Sequence, residues 1–320
     1  MRFQRTLRAG AMAALLGAIP LSTAAFAVAP MAKSQAPAYY RVMLGDVEVT
    51  ALSDGTVGLP VDKLLTNVQP QVLENALANS YLATPLETSV NGFLINTGSK
   101  LVLIDTGAGA LFGPTLGKLI GNLKAAGYQP EQVDEIYITH MHPDHVGGLM
   151  AGDKMVFPNA TVRADQHEAD FWLSQANLEK AAADEKDFYK GAMASLNPYI
   201  AAGKFKPFDG DTDLGAGIKA IAARGHTEGH TVYAIESKGQ KLMVWGDLIH
   251  VAAVQFPDPT VTIHFDTDSA RALTQRKNIF AFVATEGYLV GAAHISFPGL
   301  GHIRSAGNGY TWIPVNYSTP

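Results

Sequence analysis

Thr139-His140-Met141-His142-Pro143-Asp144-His145 places three histidines and an aspartate within six positions, and Val146-Gly147-Gly148 follows. Imidazole nitrogens and carboxylate oxygens are the donors that divalent zinc prefers. On an extended or tightly turning backbone, alternate residues project the same way, so His140 and His142 can share one ion. The turn at Pro143 then aims Asp144 and His145 at a neighbouring point, which gives room for two metals side by side. A surface loop that is merely rich in histidine is the plain alternative, and the density of the cluster weighs against it.

Three further positions carry the same chemistry. Gly225-His226-Thr227-Glu228-Gly229-His230 sets a histidine in a turn flanked by glycine, where backbone can approach closely. Gly246-Asp247 and Ala293-His294 each follow a hydrophobic run that reads as a strand. Alone, each would pass as a cap or a satisfied polar group. Together with the first cluster they give five histidines and two aspartates. That inventory meets the need of a two-metal site for about three or four ligands per ion and a shared bridge. The chain contains no Cys, so thiolate ligands, cysteine nucleophiles and disulfides are excluded.

These residues need strands and tight turns to hold them. Arg41–Leu44 and Val47–Leu52 read as two strands joined at Gly45-Asp46. Spacing predicts a helix over Pro70–Tyr81, with Val72, Leu73, Ala76 and Leu77 on one face. Val90–Asn96 and Leu101–Ile104 read as strands around Thr97-Gly98-Ser99, and Pro114–Ala126 as a helix stopped by Gly127. The strand-like run Glu135–Thr139 leads into the histidine cluster. Beyond it, Ala164–Tyr199 is mostly helical. Ile218–Ala222, Val232–Glu236 and Leu242–Trp245 return to strand pattern. Ser269–Thr285 is a helix capped by Asp268 or Ser269. Tyr288–Ala293 is a last buried strand before the Gly-rich tail Gly299–Gly309. Grouped strands with helices between the groups suggest strand layers covered by helices. Lys100–Asp105 echoes Lys241–Asp247: each is a hydrophobic strand delivering an Asp at its C-terminal end.

The 320 residues are 47% hydrophobic and 17% charged, enough for one large domain or two modest ones with a real core. Arg2, Arg5 and Arg8, the apolar stretch Ala9 to Leu21, and Ala25-Phe26-Ala27 read as a secretory signal cut near Ala27, with a periplasmic or secreted destination. Residues 28–40 read as a flexible lead-in and 41–320 as the catalytic domain. The apolar stretch is short and broken by Gly17 and Pro20, which argues against stable membrane insertion. Loss of the three signal arginines takes the net charge from −5 to −8, which disfavours nucleic acid as a partner.

The H-x-H-x-D-H motif, the G-H-T turn, Asp247 and His294 together resemble the metallo-β-lactamase superfamily. Pro85-Leu86-Glu87-Thr88-Ser89, Phe112-Gly113-Pro114-Thr115-Leu116, Phe171-Trp172-Leu173-Ser174 and Ala192–Pro198 are similar to its methyl parathion hydrolase and aryl-lactone (dihydrocoumarin) hydrolase group. The resemblance implies an α/β (α+β) fold, a four-layer αββα sandwich with the site at one edge of its two sheets. It assigns one metal, expected to be Zn2+, to His140, His142 and His226 and a second to Asp144, His145 and His294. Asp247 bridges them as the catalytic carboxylate beside a bridging hydroxide. Asp105, in Ile104-Asp105-Thr106-Gly107, and His230 are expected to support ligands by hydrogen bonds, not to bind metal. Phe112, Trp172, Phe188, His250, Ile263 and Phe265 are expected to line the substrate pocket.

The expected activity is hydrolysis of aryl lactones and related esters, with weak phosphotriesterase activity. The large side chains His250, Ile263 and Phe265 leave little space for a tetrahedral phosphotriester, and Leu64-Leu65 lacks the arginine expected for methyl parathion hydrolase proper. Organophosphate hydrolysis as the main activity is the alternative. A mononuclear iron dioxygenase is the alternative from another class. Ala192–Ile200, read as an exposed apolar helical segment, is compatible with a homodimer, which the resemblance also suggests.

Overall fold

The computed structural model describes residues 29–319, so the expected signal segment lies outside the described residues. Residues 36–320 form one compact unit. The chain enters its first strand at Tyr39, slightly before the end expected for the lead-in.

Two sheets carry the fold. The first takes β1 (Tyr39–Leu44), β2 (Val47–Leu59), β3 (Leu86–Asn96), β4 (Leu101–Ile104), β5 (Glu135–Tyr137) and β6 (Thr161–Arg163), in that spatial order. The second takes β7 (Thr212–Gly215), β8 (Ile218–Ala222), β9 (Thr231–Ser237), β10 (Gln240–Val244), β11 (Leu289–Gly291), β12 (Leu300–Ala306) and β13 (Gly309–Pro314). Alternation along each strand sorts side chains between two faces. Phe93, Ile95, Val102 and Ile104 meet Tyr233, Ile235, Leu242 and Val244 in the core between the sheets. The intervening residues Leu94, Leu101 and Leu103 face the other way, onto α2 (Leu119–Ala125), α3 (Gln166–Trp172) and α5 (Lys186–Ala201), with α4 (Gln175–Lys180) packed nearby. Met243 and Trp245 likewise face away, onto Ile279, Phe280 and Val283 of α6 (Ser269–Glu286). The layers therefore run helix, sheet, sheet, helix: the αββα sandwich that the sequence suggests.

Strand direction places the candidate residues at one edge. β4 and β5 run parallel, so Asp105 and the His140 loop leave the first sheet on the same side. β10 and β11 run parallel, so Asp247 and His294 also share a side. β8 and β9 are antiparallel, as are β9 and β10, which puts the β8–β9 turn holding His226 on that side too. Backbone hydrogen bonds Thr231 N–H to Thr139 O and Asn91 N–H to Ala293 O, each 2.9 Å, fasten the two edges together. The two strands that echo each other in sequence, β4 and β10, each end in an aspartate at this seam.

Several elements differ from the sequence reading. The expected helix over 114–126 begins only at Leu119. Gly117 sits at φ +79°, and Asp54 captures the backbone N–H groups of Ala108, Gly117 and Leu119 at 2.9 Å each, which shapes residues 108–118 into a loop. The Gly-rich tail is a β-hairpin, β12–β13, that extends the second sheet; Gly307 supplies its turn at φ +58°. The expected helix over Pro70–Tyr81 is α1 (Pro70–Asn79). Ala192–Ile200 is a correction: Ala192, Leu196 and Tyr199 are buried in the core beside the first sheet, and of its large apolar residues Ile200 is the exposed one. Among the described residues no helix is long and apolar enough to cross a membrane.

Candidate metal centre

The seven expected ligands converge. His140, His142, His226 and Asp247 present donor atoms within 4.8 Å of one another, and so do Asp144, His145 and His294. Asp247 stands between the groups. Its Oδ2 lies 3.3 Å from His226 Nε2 and 3.6 Å from His140 Nε2. Its Oδ1 lies 3.2 Å from His145 Nε2 and 3.1 Å from His294 Nε2. Asp144 Oδ2 closes the second group at 3.6 Å from His145 Nε2 and 3.5 Å from His294 Nε2.

These separations suit metal ligation. Donors held about 2.0–2.1 Å from a tetrahedral zinc ion stand about 3.3–3.4 Å apart. Buried His140 Nε2, His145 Nε2 and Asp247 Oδ1 have no hydrogen-bond partner, so their lone pairs are unspent where such atoms are normally satisfied. The donor set thus fits two divalent cations.

Hydrogen bonds behind the ligands fix which imidazole nitrogen faces inward. His145 Nδ1–H donates to Asp105 Oδ2 at 2.8 Å. His226 Nδ1–H donates to Asp266 Oδ1 at 2.9 Å, and His294 Nδ1–H to the Ser89 carbonyl at 2.9 Å. Thr139 Oγ1–H donates to Asp105 Oδ2 at 2.8 Å, which leaves the hydroxyl oxygen to accept from His140 Nδ1–H at 3.1 Å. Asp105 therefore orients one histidine of each group. It also accepts Thr139 N–H at 2.9 Å and holds a left-handed φ of +59°. His230 accepts the backbone N–H of Asp247 at Nε2, 3.0 Å, while its Nδ1 faces the Ala223 carbonyl at 3.2 Å. It braces the bridging residue and stays out of both donor groups.

The electrostatics call for positive charge at the centre. Burial, reinforced by neighbouring histidines, holds His140 and His142 well below the ordinary imidazole range, so their lone pairs are free. Burial also opposes charge on His145, yet Asp247, Asp144 and Asp105 outweigh it and push that group well up. The same contest carries His226 to about 9, with Asp247 and Asp266 on the winning side. Burial alone would raise Asp247, but His294, His145, His140 and His250 hold it well below the usual carboxylate range.

Residues 86–278 match the metallo-beta-lactamase superfamily. The chain belongs to this superfamily. As a member it is a metal-dependent hydrolase, an assignment that its relatives support. The chain is similar to the hydrolase AbOPH: 38% identity and a TM-score of 0.85, over 89% of this chain and 100% of that one. It is similar also to AidC, a dizinc quorum-quenching lactonase solved with the product N-hexanoyl-L-homoserine, at 28% identity and TM-score 0.81, over 88% and 99% of the two chains. An N-acyl homoserine lactonase of Bacillus cereus is 25% identical over 64% of this chain and 82% of its own length.

Beside the superfamily's donor groups lies a cavity of about 40 Å³ walled by Phe112, Leu116, Phe188, His250 and Phe265, with Asp144, Asp247 and His294 at its base. His250 is more than a wall: its Nε2 lies 3.1 Å from Asp247 Oδ2, and its ring stacks on His294 at 5.1 Å between centroids. Trp172 borders a larger neighbouring cleft of about 560 Å³ and meets the His142 ring edge-on at 5.2 Å. Leu64 and Phe265 share that cleft. A second cleft, about 570 Å³, opens beyond Phe112 and Leu111. Phe188 borders the cavity and both clefts.

Ile263 is a correction: it lines none of these spaces. It pairs with Leu65 in a short two-stranded ladder and is buried among Val61, Leu65, Val251 and Val261. Its pairing with Leu65 turns it into that core, and the pocket is left to Phe265, which lies past the end of the strand. His167 and His302 stay outside the centre, His167 near Asp165 and His302 against the Tyr288 carbonyl. Sequence reasoning misses Asp266, which looks like part of the polar lead into α6. It misses Glu168 as well, a buried acid inside a helical stretch; burial pushes it up to about 7.

Proposed function

We propose that this hydrolase opens lactones with an apolar, preferably aryl, body, and hydrolyses phosphotriesters only weakly. The observation that carries the reading is the aromatic cavity over the two donor groups, tight at the centre and flanked by wider clefts. Two zinc ions held by the seven ligands would supply a water activated near neutral pH and polarise the scissile carbonyl. Phe112, Phe188 and Phe265 would clamp a flat ring and exclude bulk water. Asp247, held ionised by the surrounding imidazoles, would serve as the ligand common to both ions, and a water would return the proton to the leaving oxygen. Ring opening of an aryl lactone expels a phenolate, so no stronger acid is needed. Export of the chain, read from residues 1–27, would place this chemistry in the periplasm or outside the cell.

A second reading is N-acyl homoserine lactone hydrolysis. The clefts beside the cavity favour it, since either has volume for an acyl chain, and AidC and the Bacillus cereus relative act in that class by name. Parallel kcat/KM values on dihydrocoumarin, an N-hexanoyl homoserine lactone, an aryl ester and methyl parathion separate the possibilities. The aryl lactone should lead; a clear lead for the phosphotriester reverses the proposal.

His250→Leu removes a polar wall from the cavity and frees space beside Asp247. The ratio of methyl parathion to dihydrocoumarin kcat/KM should rise about tenfold, the size of a 1.4 kcal/mol change in relative barriers. Unchanged values for both substrates would mean that His250 does not shape the pocket.

A further inference from the structure

Glu168 lies outside the donor set yet touches both loops that supply one half of it. It occupies the first turn of α3 and is fully buried. Its Oε1 accepts Met141 N–H at 2.8 Å, and its Oε2 accepts Gly229 N–H at 2.7 Å. Met141 separates His140 from His142, and Gly229 closes the turn that begins at His226. One carboxylate thus spans the two backbone segments that carry all three histidines of a single donor group.

The packing around it is close. A Cβ at position 229 would stand 2.4 Å from Glu168 N and 2.6 Å from Glu168 Cβ, so only glycine lets the His226 turn settle against α3. The helix is itself pinned at its start, where Asp165 accepts His167 N–H at 2.8 Å and Gly210 N–H at 2.9 Å. One turn on, Trp172 packs against the His142 ring. The other donor group takes its support elsewhere, from Asp105 behind His145 and the Ser89 carbonyl behind His294.

We propose that Glu168 is a positioning residue that sets the spacing of His140, His142 and His226 and thereby governs the affinity of one of the two cations. This rests on the two-cation reading of the centre. Gln at this position keeps one acceptor oxygen and turns an amide N–H against the other backbone donor, which pushes one loop away. Asp keeps the charge but is too short to reach both loops.

The test is zinc competition against a chelator on the full chain, counting ions per chain by mass spectrometry, for wild type, Glu168→Gln and Glu168→Asp. The wild type should hold two zinc ions. Either variant should bind one of them about 10–100-fold more weakly and keep the other at wild-type affinity. Variants that retain both ions as the wild type does, or lose both alike, overturn the inference while leaving the two-cation reading intact. A wild type that takes up fewer than two ions overturns that reading and the inference with it.

Discussion

Asp247→Asn should lower kcat/KM on the best lactone by about 10²–10³-fold, the scale for removing one preorganised group that stabilises charge at a reacting centre. Five imidazole nitrogens, from His140, His145, His226, His250 and His294, lie 3.1–3.6 Å from its two oxygens. The carboxylate stands between the two donor groups and reaches histidines of both. Asn keeps the shape but removes the negative charge, and its amide N–H points at lone pairs meant for a cation. Burial makes the loss of that charge costly for the histidines around it. The variant should also retain fewer than two metal ions per chain while its far-ultraviolet circular dichroism stays that of the wild type. Near-native activity with two ions retained would remove Asp247 from the centre of the mechanism.

Asp105→Ala should be the most destabilising single change near the site. It leaves three buried donors without an acceptor: Thr139 N–H, Thr139 Oγ1–H and His145 Nδ1–H. At about 1–3 kcal/mol for each of the three stranded donors, the loss is about 3–9 kcal/mol. Alanine tolerates the left-handed conformation, φ +59° here, less readily than aspartate, which adds to the loss. Against a total stability of about 5–15 kcal/mol this is severe. Urea unfolding of wild type and variant in saturating zinc measures it. Because Asp105 orients a histidine of each donor group, both metal affinities should fall, by about 10–100-fold. This separates it from Glu168, whose two backbone contacts, at Met141 and Gly229, lie next to the histidines of one group. An unfolding midpoint equal to wild type would show that the Asp105 hydrogen bonds contribute little.

Much of this centre can be read in the chain because its ligands sit at strand ends and in glycine-flanked turns. Hydrophobic runs ending in Asp105, Asp247 and His294 announce both the strand and what it delivers. The supports behind the ligands are another matter. Asp266 meets His226 across 40 positions, and Glu168 meets Gly229 across 61. Such pairings depend on which loops share an edge, and no local pattern carries that information. Ile263 fails for a related reason: a two-residue ladder with Leu65 sets its direction, and that partner is remote in sequence. The residues 114–118 looked helical from their apolar spacing, but the buried carboxylate of Asp54 outbids the helix for the local N–H groups. The β12–β13 hairpin hid behind its glycines, which serve its turn and close packing while β-branched and aromatic residues form its strands.

The central claim is that two divalent cations share Asp247 and drive hydrolysis. Metal content and activity of the purified chain, followed together through chelation and stepwise zinc return, test it most directly. Two ions per chain, loss of lactone hydrolysis on their removal and recovery on return of the second equivalent are the expected results. A metal-free chain that hydrolyses lactones at full rate, or a single iron per chain with oxygen consumed, would contradict it.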